Sequence, residues 1–227
     1  MSTQIRLVTF NIRYAAPTLA PLEEATASQL HDILAALNQP PSPTGLTWSH
    51  IGTTRCPGSF PDESNPILYP TQSFLPSRSA TLWLSSTPDR PSRGWDAGLH
   101  RIVTTKSVVV MNTHLDHAGR KARVESVGLL GRVAREWDGE GVGAVFLGGD
   151  FNSRPGSEVV RRMTVGGGWR EVVDLEWEER GKIDYLFVRG EKVEGVVVDR
   201  FEVLGNEAEG VLFSDHRAVV ADVRVLG

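Results

Sequence analysis

The feature that most limits what this chain can fold into is a recurrence of short apolar runs, each closed by turn-forming residues: "IRLVTFNI", "TLWLS", "SVVVMNTH", "GAVFLGG", "KIDYLFV", "GVVVDRFEVL" and "HRAVVADVRV". Runs of this length, rich in Val, Ile and aromatic residues, read as strands. Two other segments carry helical periodicity. The first, "LEEATASQLHDILAALN", opens near Leu22 after a proline and repeats Leu30, Ile33, Leu34 and Leu37; the second, from about Gly119 to Trp137, sets Val124, Val127, Leu130, Ala134 and Trp137 on one side. Each amphipathic helix needs a sheet to cover. The expected fold class is therefore α+β, with two sheets packed face to face as a sandwich and helices outside.

Bulk properties narrow the function. The 227 residues are enough for one domain with a proper core, and no internal repeat or long linker divides them. The chain is 40% apolar without a long apolar span, and "MSTQIRLVTF" has no secretion-signal layout, so a soluble, cytoplasmic or nuclear monomer is expected. A lone cysteine, Cys56, excludes an internal disulfide and a cysteine-based metal site. The formal net charge of -4 disfavours a protein that holds nucleic acid by bulk electrostatics. It suits a small phosphorylated partner better.

Polar residues gather where the apolar runs end: Asn11, His114 with Asp116, Asp150 with Asn152, Asp184, and Asp215 with His216. Taken singly, each has a plain structural reading as a turn former, a cap or a buried histidine. Their repetition at strand ends, with apolar flanks that fix their positions, points instead to a shared site that binds a hard cation or moves a proton. Oxygen donors without cysteine favour Mg²⁺ or Mn²⁺ over Zn²⁺.

"TFNIRY", "NTHLDH", "GGDFNS", "IDYLFV" and "SDHRAVVADV", in this order, closely resemble the endonuclease/exonuclease/phosphatase superfamily, the metal-dependent phosphoesterases related to deoxyribonuclease I, and the stretches between them resemble its microbial and fungal branch. The resemblance implies the four-layer α/β sandwich of that superfamily. It also implies a Mg²⁺- or Mn²⁺-dependent phosphodiesterase or phosphatase acting on a phosphorylated small molecule, lipid or nucleotide. Residue by residue, it makes Asn11, Glu24 and Asp215 the metal set, with Glu23 standing where Gln is usual. It makes Asp150 and Asn152 the pair that orients water and phosphate, His114 a phosphate-binding or proton-donating group, and Asp184 the partner of His216, which activates the water; "KIDYLFV" and "SDHRAVV" should then be neighbouring strands ending at the same rim. Arg101 is the candidate for charge-assisted phosphate binding.

The chain departs from the pattern at its N-terminal side. Only "AAPTLAP" lies between Tyr14 and Leu22, where relatives carry a helix and the strand that presents the metal-binding Glu, and "LEWEERGK" is short where relatives carry a longer loop. Two readings stay open: a compact hydrolase, or a catalytically degenerate paralogue that keeps only phosphate or partner binding. The hydrolase reading requires the Glu24 carboxylate within about 8 Å of that of Asp215, since a cation takes oxygens at roughly 2.0 to 2.6 Å.

Overall fold

The alternation of buried Thr3, Ile5, Leu7 and Thr9 with exposed residues makes Thr3–Thr9 a strand with one wet face. The computed structural model describes residues 2–12, 25–42, 44–53, 63–86, 96–103, 107–172, 182–189, 194–212 and 214–226, with the side chains of 96–103 and 208 outside that description. In chain order the elements are β1 (Thr3–Thr9), α1 (Ala27–Asn38), β2 (Trp48–Ile51), β3 (Ile67–Pro70), β4 (Leu75–Trp83), β5 (Asp96–Val103), β6 (Ser107–His114), α2 (Arg120–Trp137) and β7 (Val142–Asp150). There follow α3 (Glu158–Arg161), a π-helical turn (Arg162–Gly166), β8 (Trp169–Glu171), β9 (Asp184–Arg189), β10 (Val196–Val203), β11 (Glu207–Ala208), β12 (Val211–Leu212) and β13 (Val219–Val225).

Two sheets form the frame. One has three antiparallel strands in the order β1-β13-β10, and the other has six in the order β4-β5-β6-β7-β9-β8. Ile5, Leu7, Ala221, Val223 and Val225 of the first pack on Val108, Ala144, Phe146, Leu186 and Val188 of the second. The outward face of the three-stranded sheet is charged instead, with Arg6 on Asp222 at 2.6 Å and Arg224 on Asp199 at 2.7 Å. Such exposed pairs add little stability, but they keep that face wet.

The six-stranded sheet buries its other face under helices. β6 and β7 are parallel, so the chain must cross over between them, and α2 is that crossover. Val127, Leu130, Ala134 and Trp137 of α2 pack with Val109, Met111, Val145, Leu147 and Phe187. Each of the Val, Leu, Met and Phe side chains among them contributes about 1.5–3 kcal/mol when fully buried. Among the described residues no helix is long and apolar enough to cross a membrane.

Two expectations are corrected. The first helix starts at Ala27, not near Leu22: Thr26 caps it, its Oγ1 accepting from Gln29 N–H at 3.3 Å while its own N–H donates to Gln29 Oε1 at 3.0 Å. That reciprocal box ends the preceding chain, and Ala25 pairs with Ser64 as an isolated bridge. Thr26→Ala should therefore cost about 1 kcal/mol, read as a fall of roughly 2–4 °C in a thermal melt; an unchanged melt would mean the box contributes nothing. Secondly, "KIDYLFV" and "SDHRAVV" are not neighbouring strands. β9 belongs to the six-stranded sheet and β13 to the three-stranded one, so they meet across the sandwich.

Candidate active site

Three adjacent strands of the six-stranded sheet end in the same row. In the parallel β6–β7 pair His114 is opposite Asp150, and in the antiparallel β7–β9 pair Asp150 is opposite Asp184. Phe151, fully buried, locks this end: its ring stands edge-on to Tyr185 and Phe187 at 5.5 and 5.2 Å, and its N–H donates to Ile183 O at 2.8 Å. Asn152 then turns the chain with φ of 45°, and its N–H donates to Asp150 Oδ1 at 2.7 Å. The pair converges through this turn and not through an extended strand. Asp150 thus makes the local bond that turn chemistry predicts and still faces the site with Oδ2.

The other sheet supplies the opposing groups. β1 and β13 end side by side at Thr9 and Val219, which leaves Asn11 and His216 just beyond the same rim. Asn11 Nδ2 donates to Asp150 Oδ2 at 3.1 Å. His216 Nδ1 donates to Asp184 Oδ2 at 2.8 Å, and its Nε2 lies 3.8 Å from Asp150 Oδ2. Donor atoms of Asp150, Asp184 and His216 all fall within 4.8 Å of one another.

This concentration of charge shifts proton equilibria. Burial, then the charge of Asp184, push the Asp150 carboxyl up to about 7, against smaller opposing pulls from His216, the Asn152 N–H and Asn11. For His216, burial disfavours the imidazolium. The hydrogen bond and charge of Asp184, with the charges of Asp150 and Asp215 behind them, outweigh burial and raise it to about 9. Without a cation, the cluster holds protons near neutral pH.

Of the expected residues, the structure brings Asn11, His114, Asp150, Asn152, Asp184 and His216 together. They are not on an open rim: Asp150 is 1% exposed, His114 2% and Asn11 3%. Asn152 Nδ2 donates to Leu115 O at 2.8 Å and to His114 Nε2 at 3.0 Å, and His114 Nε2 lies 3.5 Å from Asp150 Oδ2. Asp215 is exposed and stands outside the compact trio, although its charge acts on His216. Glu23 and Glu24 lie outside the described residues, as does the side chain of Arg101, whose backbone is in β5. Asp116 turns the chain ahead of α2, its Oδ1 accepting from Ala118 and Gly119 N–H.

Some positioning groups carry weak sequence signals. Ser214, 2% exposed, donates from Oγ to Asn11 O at 2.6 Å and accepts from His216 N–H at 3.0 Å, tying the end of β1 to the catalytic histidine candidate. Tyr185 donates to Ser153 O at 2.9 Å, which anchors the turn after Asp150. Lys182, half-buried, pairs with Glu171. A buried Ser before an Asp-His pair, and a Tyr next to a site Asp, were the available hints.

Two buried carboxylates and an imidazole suit a hard divalent cation. Asp184 Oδ1 is buried with no hydrogen-bond partner, a costly arrangement for a carboxylate oxygen unless something else binds it.

Residues 8–216 match the profile of the family described as Endonuclease/Exonuclease/phosphatase family. Among solved structures, a protein of that family from Bacteroides thetaiotaomicron is 22% identical with a TM-score of 0.79, the match covering 99% of this chain and 96% of that one. One from Bacteroides vulgatus is 24% identical with a TM-score of 0.80, covering 98% and 99%. A mannosyl-6-phosphatase of Bacteroides thetaiotaomicron is 25% identical with a TM-score of 0.73, covering 88% of this chain and 83% of that one. A comparison with curated protein sequences finds no match.

Proposed function

This chain belongs to the endonuclease/exonuclease/phosphatase family, and on that premise we propose that it hydrolyses a phosphoester with a divalent cation, Mg²⁺ or Mn²⁺, held against the carboxylates of Asp150 and Asp184 beside His216. The observation that carries the proposal is the partnerless buried Asp184 Oδ1 beside two further donors within 4.8 Å. When bound, the cation supplies positive charge to the phosphoryl oxygens and offsets the carboxylates that hold His216 protonated.

Asp184 fixes the tautomer of His216 by accepting a hydrogen bond from Nδ1–H, which leaves Nε2 as the atom that exchanges protons. Nε2 takes a proton from water as its oxygen bonds to phosphorus, the P–O bond to the alcohol breaks, and the proton passes to the departing oxygen. Asp150 faces the same point and orients the water. Asn152 holds Asp150 through its backbone N–H, while its side-chain amide donates to Leu115 O and to His114 Nε2 and so fixes the imidazole of His114 beside that carboxylate. Asn11 steadies Oδ2 of the same carboxylate.

The net charge of -4 favours a small substrate over a nucleic-acid strand, and the similarity to a mannosyl-6-phosphatase puts sugar phosphates early in a screen. Phosphomonoesters and phosphodiesters should be assayed with Mg²⁺, with Mn²⁺ and with EDTA. Turnover of one class that EDTA removes is the expected result. No turnover of either class with either cation would overturn the hydrolase reading and leave the degenerate paralogue.

A further inference from the structure

The two loops that leave the row of strand ends are basic. Residues 115–123, which follow His114, and 153–162, which follow Asn152, carry six Arg or Lys against two carboxylates, Asp116 and Glu158, in a chain whose net charge is -4. Five of these cations are spent on the protein. Arg120 and Arg162 pair with Glu158 at 2.5 and 3.0 Å, Arg123 donates to Asp116 O at 2.7 Å, Arg161 donates to Gly156 O at 2.6 Å, and Lys121 stands 3.8 Å from Glu125. Arg154 is exposed, and its guanidinium has no hydrogen bond or ion pair among the described residues.

The backbone of Arg154, by contrast, is pinned on both sides. Ser153 O accepts from Tyr185 at 2.9 Å, and Arg154 O accepts from Ser157 N–H at 3.1 Å, which closes the turn through Pro155 and Gly156. Arg154 stands two residues beyond Asn152, whose N–H donates to Asp150 Oδ1 at 2.7 Å. Its Cα is therefore no more than about 8 Å from that of Asn152. From a fixed root that near, the guanidinium reaches a group several bonds away from a phosphoryl group at the cluster. Planar and always charged, it offers paired N–H donors that match a phosphate.

We propose that Arg154 selects the substrate by binding a second phosphate carried on the same small phosphoester molecule. This rests on the phosphohydrolase reading above. A nucleic-acid strand is the poorer fit, because tracking its backbone takes several free cations and these loops leave one.

Butylphosphonate and the bisphosphonate with a phosphonate at each end of the same chain, neither of which is hydrolysed, serve as probes in calorimetric titrations with Mg²⁺ present. The bisphosphonate should bind at least about tenfold more tightly, the scale of one charge-assisted pair. In Arg154→Gln the ratio should fall below about threefold, and in Arg154→Lys, a point charge without the fork, it should lie between the two. Arg135→Gln removes an exposed cation from the last turn of α2, at the far end of that helix, and makes the same change in net charge; it should keep the full ratio. Should Arg154→Gln fail to give a cooperative melt, Arg154→Lys must show a reduced ratio. An undiminished ratio in folded Arg154→Gln, an equal fall in Arg135→Gln, no preference for the bisphosphonate in the parent, or no binding of either probe overturns the proposal. So does a single-stranded oligonucleotide that binds more tightly than the bisphosphonate and displaces it. Preference for the bisphosphonate without turnover of any phosphoester would sink the hydrolase reading and keep this one; turnover with equal binding of the two probes would do the reverse.

Discussion

Asp150→Asn should cut phosphoester turnover by about a thousandfold or more, the scale of a lost positioning and charge-stabilising group, and should at the same time raise the melting temperature of the cation-free protein at pH 8. Both effects have one cause. The carboxylate is buried against Asp184, which pushes its proton affinity up to about 7 from an ordinary value of 3.8. A group raised on folding stabilises fully below its unfolded value, and that contribution is lost as pH rises through the folded one. His216, raised from 6.5 to about 9, has the same sign. In EDTA the parent protein should accordingly melt lower at pH 8 than at pH 5, with Asp150→Asn flattening part of the difference.

The other described groups whose proton affinities shift act outside this window. Asp116, Asp199 and Asp222 are held below the ordinary carboxylate value of 3.8, so their contributions fade only in stronger acid. Lys182, pushed down by burial from 10.5 to about 8, acts mainly above it. Adding Mg²⁺ at pH 8 should restore the parent and leave Asp150→Asn nearly unmoved. A variant that melts lower than the parent at pH 8 in EDTA would show that Asp150 holds the fold together and is not a strained functional charge.

Much of this site was legible in the sequence because strand ends are strong signals. Apolar runs such as "SVVVMNTH" and "GAVFLGG" mark β6 and β7 closely, so the residues after them could be placed on one rim. The route by which distant strands meet was not legible. Asp184 and His216 are within hydrogen-bond reach, as their types suggested, but across two facing sheets and not along one, since periodicity gives a strand its faces without naming its neighbour. β5 escaped notice because Gly98, His100 and Arg101 break its apolar alternation, and β2 and β3 because four-residue strands carry little pattern. The burial of His114 and Asn11 was hidden for a related reason: it comes from the second sheet closing over the first. The metal set of Asn11, Glu24 and Asp215 stays a proposal that Glu24, outside the described residues, does not yet join, whereas Asp150, Asp184 and His216 form the compact group.

Two glycines inside β7 allow the close approaches that align the site, Gly149 towards β6 of its own sheet and Gly148 towards β1 of the facing sheet. Gly149 has φ of 143°, a backbone that side-chain-bearing residues rarely adopt, and it faces Thr113 across the parallel β6–β7 pair. A Cβ there would lie 1.8 Å from Thr113 O and 2.8 Å from Thr113 C, backbone atoms that cannot swing away as a side chain could. Gly148 is milder: its Cβ would meet Leu186 Cδ2 at 3.0 Å and Thr9 Cβ at 3.3 Å, where β1 of the three-stranded sheet approaches. Gly149→Ala should therefore cost roughly 4 kcal/mol or more, or abolish cooperative folding, since the clash adds to the strained φ. Gly148→Ala should cost about 1–3 kcal/mol, the usual penalty of overpacking, and lose turnover beyond what that predicts, because it pries Asn11 and His216 away from Asp150 and Asp184. Gly156, with φ of 74° and nothing within 4 Å of its added Cβ, is the reference: Gly156→Ala should cost about 1–2 kcal/mol from backbone conformation alone. Urea unfolding midpoints for the three variants order these effects. A Gly149→Ala protein no less stable than Gly156→Ala would show that β6 and β7 do not need this close approach, and that some other contact aligns His114 with Asp150.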